Sequence, residues 1–318
     1  VTDPKKIDEV MERIRNLHFG TDVDAELERH LDRLLKADDE DPSIAHPIRM
    51  GRTKETRGIL FVDAAGAGKT TAIDRGLSKH PRLQSQREGF RPYLFAEVPT
   101  DPSLKSMATR LLEVAGYKFE RTRRTTSQLF DHLRELMQRN GQVVLWIDEA
   151  HDLMTKDRDK ILRATKSLMQ GPNSVIVIMS GTQDLEVLLS QDDQVRRRFS
   201  IVKPEPLDLE RDGDWIMGVF DEMCKRSPVK PLDDPSLASR VLVASRYRLG
   251  RAIEMLENGI ERALWDDAKT VDLQHFADAY SMQEGGDIED NPFLVDDWKR
   301  IDPDKKMRDT WEKRRTGR

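Results

Sequence analysis

Apolar positions along this chain recur with two periods, and the two take turns. Short unbroken runs at Ile59–Val62, Tyr93–Val98, Gln142–Ile147 and Val175–Met179 suit strands buried on both faces. Between them the spacing turns helical. Leu104, Met107, Leu111 and Leu112 stripe a helix over Ser103–Ala115, followed by Ser127–Arg139 and, after the third strand, Lys160–Met169. Strands alternating with helices predict a parallel sheet wound by right-handed crossovers. From about Pro206 the strand-like runs stop. Asp214–Arg226, Asp234–Ser245, Leu249–Asp266 and Asp272–Met282 then read as helices of a smaller all-α domain.

The ends of the chain are charged. Ile7, Val10, Met11 and Ile14, then Leu27, Leu31, Leu34 and Leu35, stripe two N-terminal helices, and the acidic run from Ala37 to Pro42 closes the second. Gly285-Gly286 opens a tail that is acidic first and basic last, with Phe293, Leu294, Val295, Trp298 and Trp311 spaced through it. Two tryptophans in a charged tail suit a flexible, partner-docking segment that orders on binding. The expected organisation is a helical extension (1–50), an α/β core (51–205), a helical lid domain (206–284) and the tail (285–318).

Composition narrows the class. Of 318 residues, 35% are charged and 37% hydrophobic, which fits a soluble, helix-rich chain. The apolar runs fall far short of a membrane span, and no N-terminal apolar segment suggests a secretory signal. A single cysteine, Cys224, excludes an internal disulfide framework and suits a reducing cytoplasm. A net charge of −5 means that any nucleic-acid contact must come from local basic clusters.

The candidate chemistry begins where the first core strand ends. Ile59–Val62 runs into Asp63-Ala-Ala-Gly-Ala-Gly-Lys-Thr-Thr71. Strand, glycine loop and helix are the context of a P-loop. Backbone N–H groups of Ala65, Gly66, Ala67 and Gly68, with Thr70 and Thr71 at the helix start, would converge on a phosphate. Lys69 would reach the β- and γ-phosphates of ATP, and the Thr70 hydroxyl would ligate Mg²⁺. Asp63 stands where the usual motif has its first glycine, and it bears on nucleotide affinity and turnover.

The third strand delivers Asp148 and Glu149 at its C-terminal edge, where open α/β sheets bind ligands. Asp148 is placed to hold Mg²⁺ and Glu149 to polarise the attacking water. His151 reads as a neighbour of that site or a surface residue. The fourth strand ends at Ser180-Gly181-Thr182, and either Ser180 or Thr182 could sense the γ-phosphate. Arginines at 196–198 could supply a finger to a neighbouring subunit, and Arg251, after Gly250 at a helix start, could close onto the γ-phosphate.

These residues resemble the TniB/TnsC family of transposon-encoded AAA+ ATPases, which is related more distantly to Mu B. The resemblance runs over roughly residues 20–280. It is carried by the P-loop, F-A-E-V-P-T-D-P-S (95–103), W-I-D-E-A-H-D-L (146–153), S-G-T-Q-D-L (180–185), D-D-Q-V-R-R-R-F (192–199) and L-G-R (249–251). It implies a P-loop AAA+ core with a small all-α lid, and makes Arg198 the family arginine. It also implies an ATPase that regulates transposition. Such a protein oligomerises as a ring or filament on double-stranded DNA without sequence preference, recruits the transposase and target selector of its element, and is reset by hydrolysis. The setting would be a bacterial cytoplasm, at the nucleoid. A helicase-loader-like ATPase, a small-molecule phosphotransferase and an ATP-binding scaffold with little turnover are the other readings.

By the same resemblance the DNA-facing segment precedes the Asp-Glu strand, which points to Lys105, Lys118, Arg121, Arg123, Arg124, Thr125 and Thr126. That stretch is also the strongest basic cluster with small hydroxyl side chains before Asp148, as phosphate contact requires.

Overall fold

The computed structural model describes residues 3–42, 44–84, 89–117, 124–285 and 288–302. The chain divides into two compact units, one of residues 21–65 and 69–204, the other of residues 1–20, 66–68 and 205–318.

The first unit opens with α2 (Asp22–Leu34), whose capping box joins Thr21 and Asp24, and a short antiparallel pair, β1 (Leu35–Ala37) with β2 (Ala45–Pro47). Its centre is a five-stranded sheet of β3 (Gly58–Val62), β4 (Tyr93–Glu97), β5 (Val144–Asp148), β6 (Ile176–Gly181) and β7 (Phe199–Val202), in the order β4-β5-β6-β3-β7. Every pairing in it is parallel. The predicted parallel α/β fold is the observed one. β6 is inserted between the glycine-loop strand β3 and the Asp-Glu strand β5.

Both faces of the sheet are covered. Ile59 and Phe61 on β3 pack with Leu27 and Leu31 of α2 and with Ile73 and Leu77 of α3 (Lys69–Lys79). Leu60 and Val62 face the other way. They join the core made with α4 (Leu104–Val114), α5 (Thr126–Arg139), α6 (Ala150–Leu168) and α7 (Gln183–Ser190). Alternation of period two thus splits each strand between two cores, which is why the strands read as continuous apolar runs. A short α8 (Asp193–Arg196) leads into β7. That edge strand is absent from the sequence expectation, because Phe199, Ser200 and Ile201 are only half-buried and make no apolar run. Helix α6 starts ten residues before the predicted Lys160, directly after Glu149.

The second unit is helical. It contains α1 (Pro4–Arg15), α9 (Leu209–Lys225), α10 (Leu237–Ala244), α11 (Leu249–Trp265) and α12 (Leu273–Glu284). α1 lays Ile7, Met11 and Ile14 into this core, and its Arg15 meets Glu261 of α11 at 2.6 Å. Part of the tail is built in. Phe293 is buried and stacks on Phe276 with centroids 5.3 Å apart. Buried Arg240 donates to the carbonyls of Pro292 and Val295 and lies 3.9 Å from the Trp298 ring centroid. Trp311 lies outside the described residues. Among the described residues no helix is long and apolar enough to cross a membrane.

Candidate functional site

The C-terminal edge of the sheet gathers the loop after β3, the end of β5 and the end of β6. In the loop, Gly66 and Gly68 have φ of 73° and 89°, a left-handed path that L side chains resist. Asp63, in place of the motif's first glycine, is accommodated: its Oδ1 accepts the Ala64 N–H at 2.7 Å. Lys69 opens α3 and is 4% exposed, and its ammonium donates to the Ala64 carbonyl at 2.9 Å. Among the described residues it forms no ion pair. A buried ammonium resting on a neutral carbonyl at a helix N-terminus suits an anionic ligand.

Asp148 ends β5 and is 3% exposed. Its Oδ2 accepts the Thr70 hydroxyl at 2.6 Å, and its Oδ1 accepts the Ser180 hydroxyl at 2.5 Å and the Glu149 N–H at 3.0 Å. Ser180 Oγ in turn accepts the indole N–H of Trp146 at 2.8 Å. Thr70 and Asp148, 78 positions apart, are thus in direct contact, a hydroxyl and a carboxylate side by side as a Mg²⁺-nucleotide requires.

Glu149 is the N-cap of α6 with φ of 52°, a left-handed conformation unusual for a residue with a Cβ. That turn swings its side chain out, 45% exposed, with Oε2 3.2 Å from His151 Nδ1. Thr182 is the N-cap of α7, yet its hydroxyl makes no cap bond; it is buried and unpartnered among the described residues. Of the two sensor candidates, Ser180 is therefore committed to Asp148 and Thr182 is not.

Arg198 is buried, 2% exposed. Its Nη2 meets Glu55 Oε1 at 2.7 Å and its Nη1 donates to the Gln194 carbonyl at 3.2 Å. That guanidinium holds the Glu55 carboxyl at about 2, against the opposing effect of burial, with help from the Gln170 amide. Arg196 and Arg197 are exposed. In the helical unit, which includes Gly66–Gly68, Arg251 is half-buried in the first turn of α11. Its Nη1 lies 3.3 Å from Glu284, whose other oxygen binds Arg246 at 2.8 Å. A Cβ built on Gly66 would stand 3.1 Å from Arg251 Nε.

The proposed DNA-facing residues are scattered in their structural roles. Lys105 is exposed on α4. The Arg124 guanidinium lies 5.5 Å from the Tyr117 ring centroid. Thr125 caps α5 in a capping box with Gln128, and Thr126 is the first residue of that helix. Lys118, Arg121 and Arg123 lie outside the described residues. Sequence reasoning did not find Trp146 or Glu55 as partners of the site. A buried tryptophan reads as core, and Glu55 sits in a loop with no periodic signal.

Solved structures share this architecture. The Orc1 protein of Aeropyrum pernix in complex with DNA matches with a TM-score of 0.59 at 15% identity, over 82% of this chain and 65% of that one. The Cdc6p protein of Pyrobaculum aerophilum matches at 0.57 and 14%, over 84% and 71%. The ADP form of the Aeropyrum pernix Orc2 protein matches at 0.55 and 12%, over 87% and 75%. The chain thus spans under two thirds of the Orc1 protein's length. No curated protein matches it in sequence. The fold is that of the P-loop AAA+ proteins, an α/β sheet domain with a small helical domain after it. Residues 43–208, just over half of the chain, match the family described as "Bacterial TniB protein". The chain belongs to the TniB family.

Proposed function

We propose that this chain is an ATP-dependent, DNA-binding regulator of transposition. The observation that carries the reading is the Thr70–Asp148 contact beside buried Lys69 at the sheet's C-terminal edge, in a chain of the TniB family. Backbone N–H groups of residues 65–71 would hold the phosphates of ATP, and Lys69 would neutralise the outer ones. Thr70 and Asp148 would hold Mg²⁺, which would supply positive charge to neutralise the phosphates. Glu149, swung into solvent by its left-handed turn, would orient a water and take its proton. The unpartnered Thr182 hydroxyl would donate to the γ-phosphate, and Arg251 would add charge to it.

In this reading ATP-bound subunits assemble as a ring or helical filament on double-stranded DNA, without sequence preference. They recruit and stimulate the transposase and target selector of the same element in a bacterial cytoplasm, at the nucleoid, and hydrolysis releases them. Likeness to a DNA-bound Orc1 protein is consistent with DNA as a ligand, through the basic stretch from Lys105 to Thr126. Negative-stain imaging of the chain with DNA and ATP, ADP or a non-hydrolysable analogue tests the proposal. Rings or filaments with triphosphate only, absent in Lys69→Ala and longer-lived in Glu149→Gln, are expected. Monomers in every condition would refute it.

A second reading, an ATP-binding scaffold with little turnover, draws on Arg198. To reach a neighbour's phosphate as a finger, that side chain must leave Glu55. Steady-state ATP turnover on DNA separates the two readings.

A further inference from the structure

Asp148 is held by more than its own strand. Trp146 and Asp148 are two residues apart on β5 and so share one face of the sheet. The parallel register sets Trp146 opposite Ile178 of β6, which brings Ser180 level with Asp148. The indole N–H donates to Ser180 Oγ at 2.8 Å, and the Ser180 hydroxyl donates to Asp148 Oδ1 at 2.5 Å. All three side chains are buried, at 1%, 0% and 3% exposure.

The direction of this chain is fixed by chemistry. An indole only donates and a carboxylate only accepts, so the single hydroxyl proton of Ser180 must point at Asp148. Each bond polarises the next, and the low dielectric around groups this buried strengthens both. With Oδ1 taken by Ser180 and the Glu149 N–H, the carboxylate cannot rotate, and Oδ2 stays turned toward Thr70.

We propose that Trp146 and Ser180 are positioning residues, a relay that presets Asp148 for the nucleotide's divalent cation. The inference rests on the reading that Asp148 serves that cation. It also assigns Ser180 to the carboxylate and leaves phosphate sensing to Thr182.

The test is binding of a fluorescent ADP analogue to the full chain, in EDTA and across a magnesium titration. Ser180→Ala should bind the analogue in EDTA within about twofold of wild type, while the magnesium needed for half-maximal tightening rises about tenfold, as loss of a hydrogen bond to a charged acceptor implies. Ser180→Cys, which keeps a weak donor, should fall between. Trp146→Phe removes the N–H together with part of the buried ring, and should raise the magnesium requirement about threefold while leaving binding in EDTA within about twofold of wild type. Because the two act in series, the double variant should be no worse than Ser180→Ala. An unchanged magnesium requirement in Ser180→Ala, or additive effects in the double variant, overturns the relay. If Ser180→Ala fails to fold, Trp146→Phe decides by the same measure. Wild-type binding that is indifferent to magnesium sinks the relay alone. Absence of wild-type binding in both conditions sinks the nucleotide-site reading beneath it.

Discussion

Replacing Glu55 with glutamine removes one charge from an ion pair whose arginine is buried and leaves its shape nearly intact. In the native chain Arg198 Nη2 lies 2.7 Å from Glu55 Oε1, with side chains 2% and 15% exposed. The Arg198 guanidinium brings the Glu55 carboxyl from an ordinary 4.5 down to about 2. By linkage that gap corresponds to roughly 3 kcal/mol of folding free energy, an upper bound because solvent at Glu55 screens part of it. The folded-state value is depressed, so this stability is complete above pH 4.5 and is lost as pH falls toward 2. About 2 kcal/mol of it should be gone at pH 3. Glu55→Gln should therefore lose roughly 2–3 kcal/mol at pH 7, where buried Arg198 is left without its counter-charge. Its stability should also change less than that of wild type between pH 4.5 and 3. Urea unfolding followed by circular dichroism at pH 7, 4.5 and 3, read on the transition of the sheet unit, measures both effects. A wild-type midpoint at pH 7, or parallel pH profiles for the two proteins, would refute the reasoning. The same variant keeps Arg198 and frees it. If that arginine serves a neighbouring site, Glu55→Gln retains DNA-stimulated turnover and Arg198→Ala loses it.

Two other outcomes follow from buried groups outside the site. Burial pushes the Cys224 thiol up to about 12, so a thiol reagent at pH 8 should leave the folded chain unmodified and label it once on unfolding. Rapid labelling of the native protein would contradict that burial. Arg240→Ala removes the donor to the Pro292 and Val295 carbonyls and the cation over Trp298. It should cost about 2–4 kcal/mol in the helical unit and open residues 288–300 to limited proteolysis; an unchanged cleavage pattern would count against this anchoring by Arg240.

Much of the fold was legible because a buried parallel strand leaves a plain mark. β3, β4, β5 and β6 are apolar on both faces, since each divides its side chains between two cores. β7 carries the same pairing with less burial, at the sheet's edge, and its Phe-Ser-Ile-Val follows three arginines that drew attention as chemistry. The first half of α6 was hidden for a related reason. Its stretch from Ala150 to Asp159 is dominated by charge, so only its C-terminal half shows a stripe. The β1–β2 pair, three residues a side, is too short to announce itself.

The candidate site was legible as a set of residue types along the chain, and not in the contacts among them. Phosphate chemistry demands glycine, lysine, hydroxyl and carboxylate at set places along one chain, and local spacing reveals that. Which hydroxyl meets which carboxylate depends on strand register across more than thirty residues, and no local pattern carries it. Ser180 and Thr182 look equivalent until Trp146 is set opposite Ile178, after which only Ser180 stands level with Asp148. The arginine triplet is resolved the same way. A turn of α8 into β7 sends one of three guanidiniums inward, and Glu55, 143 positions away, selects Arg198. Arg196 and Arg197 point to solvent. In the proposed assembly the charge this corner would offer a neighbour without cost is thus theirs, and Arg198 would join them only by giving up the Glu55 carboxylate.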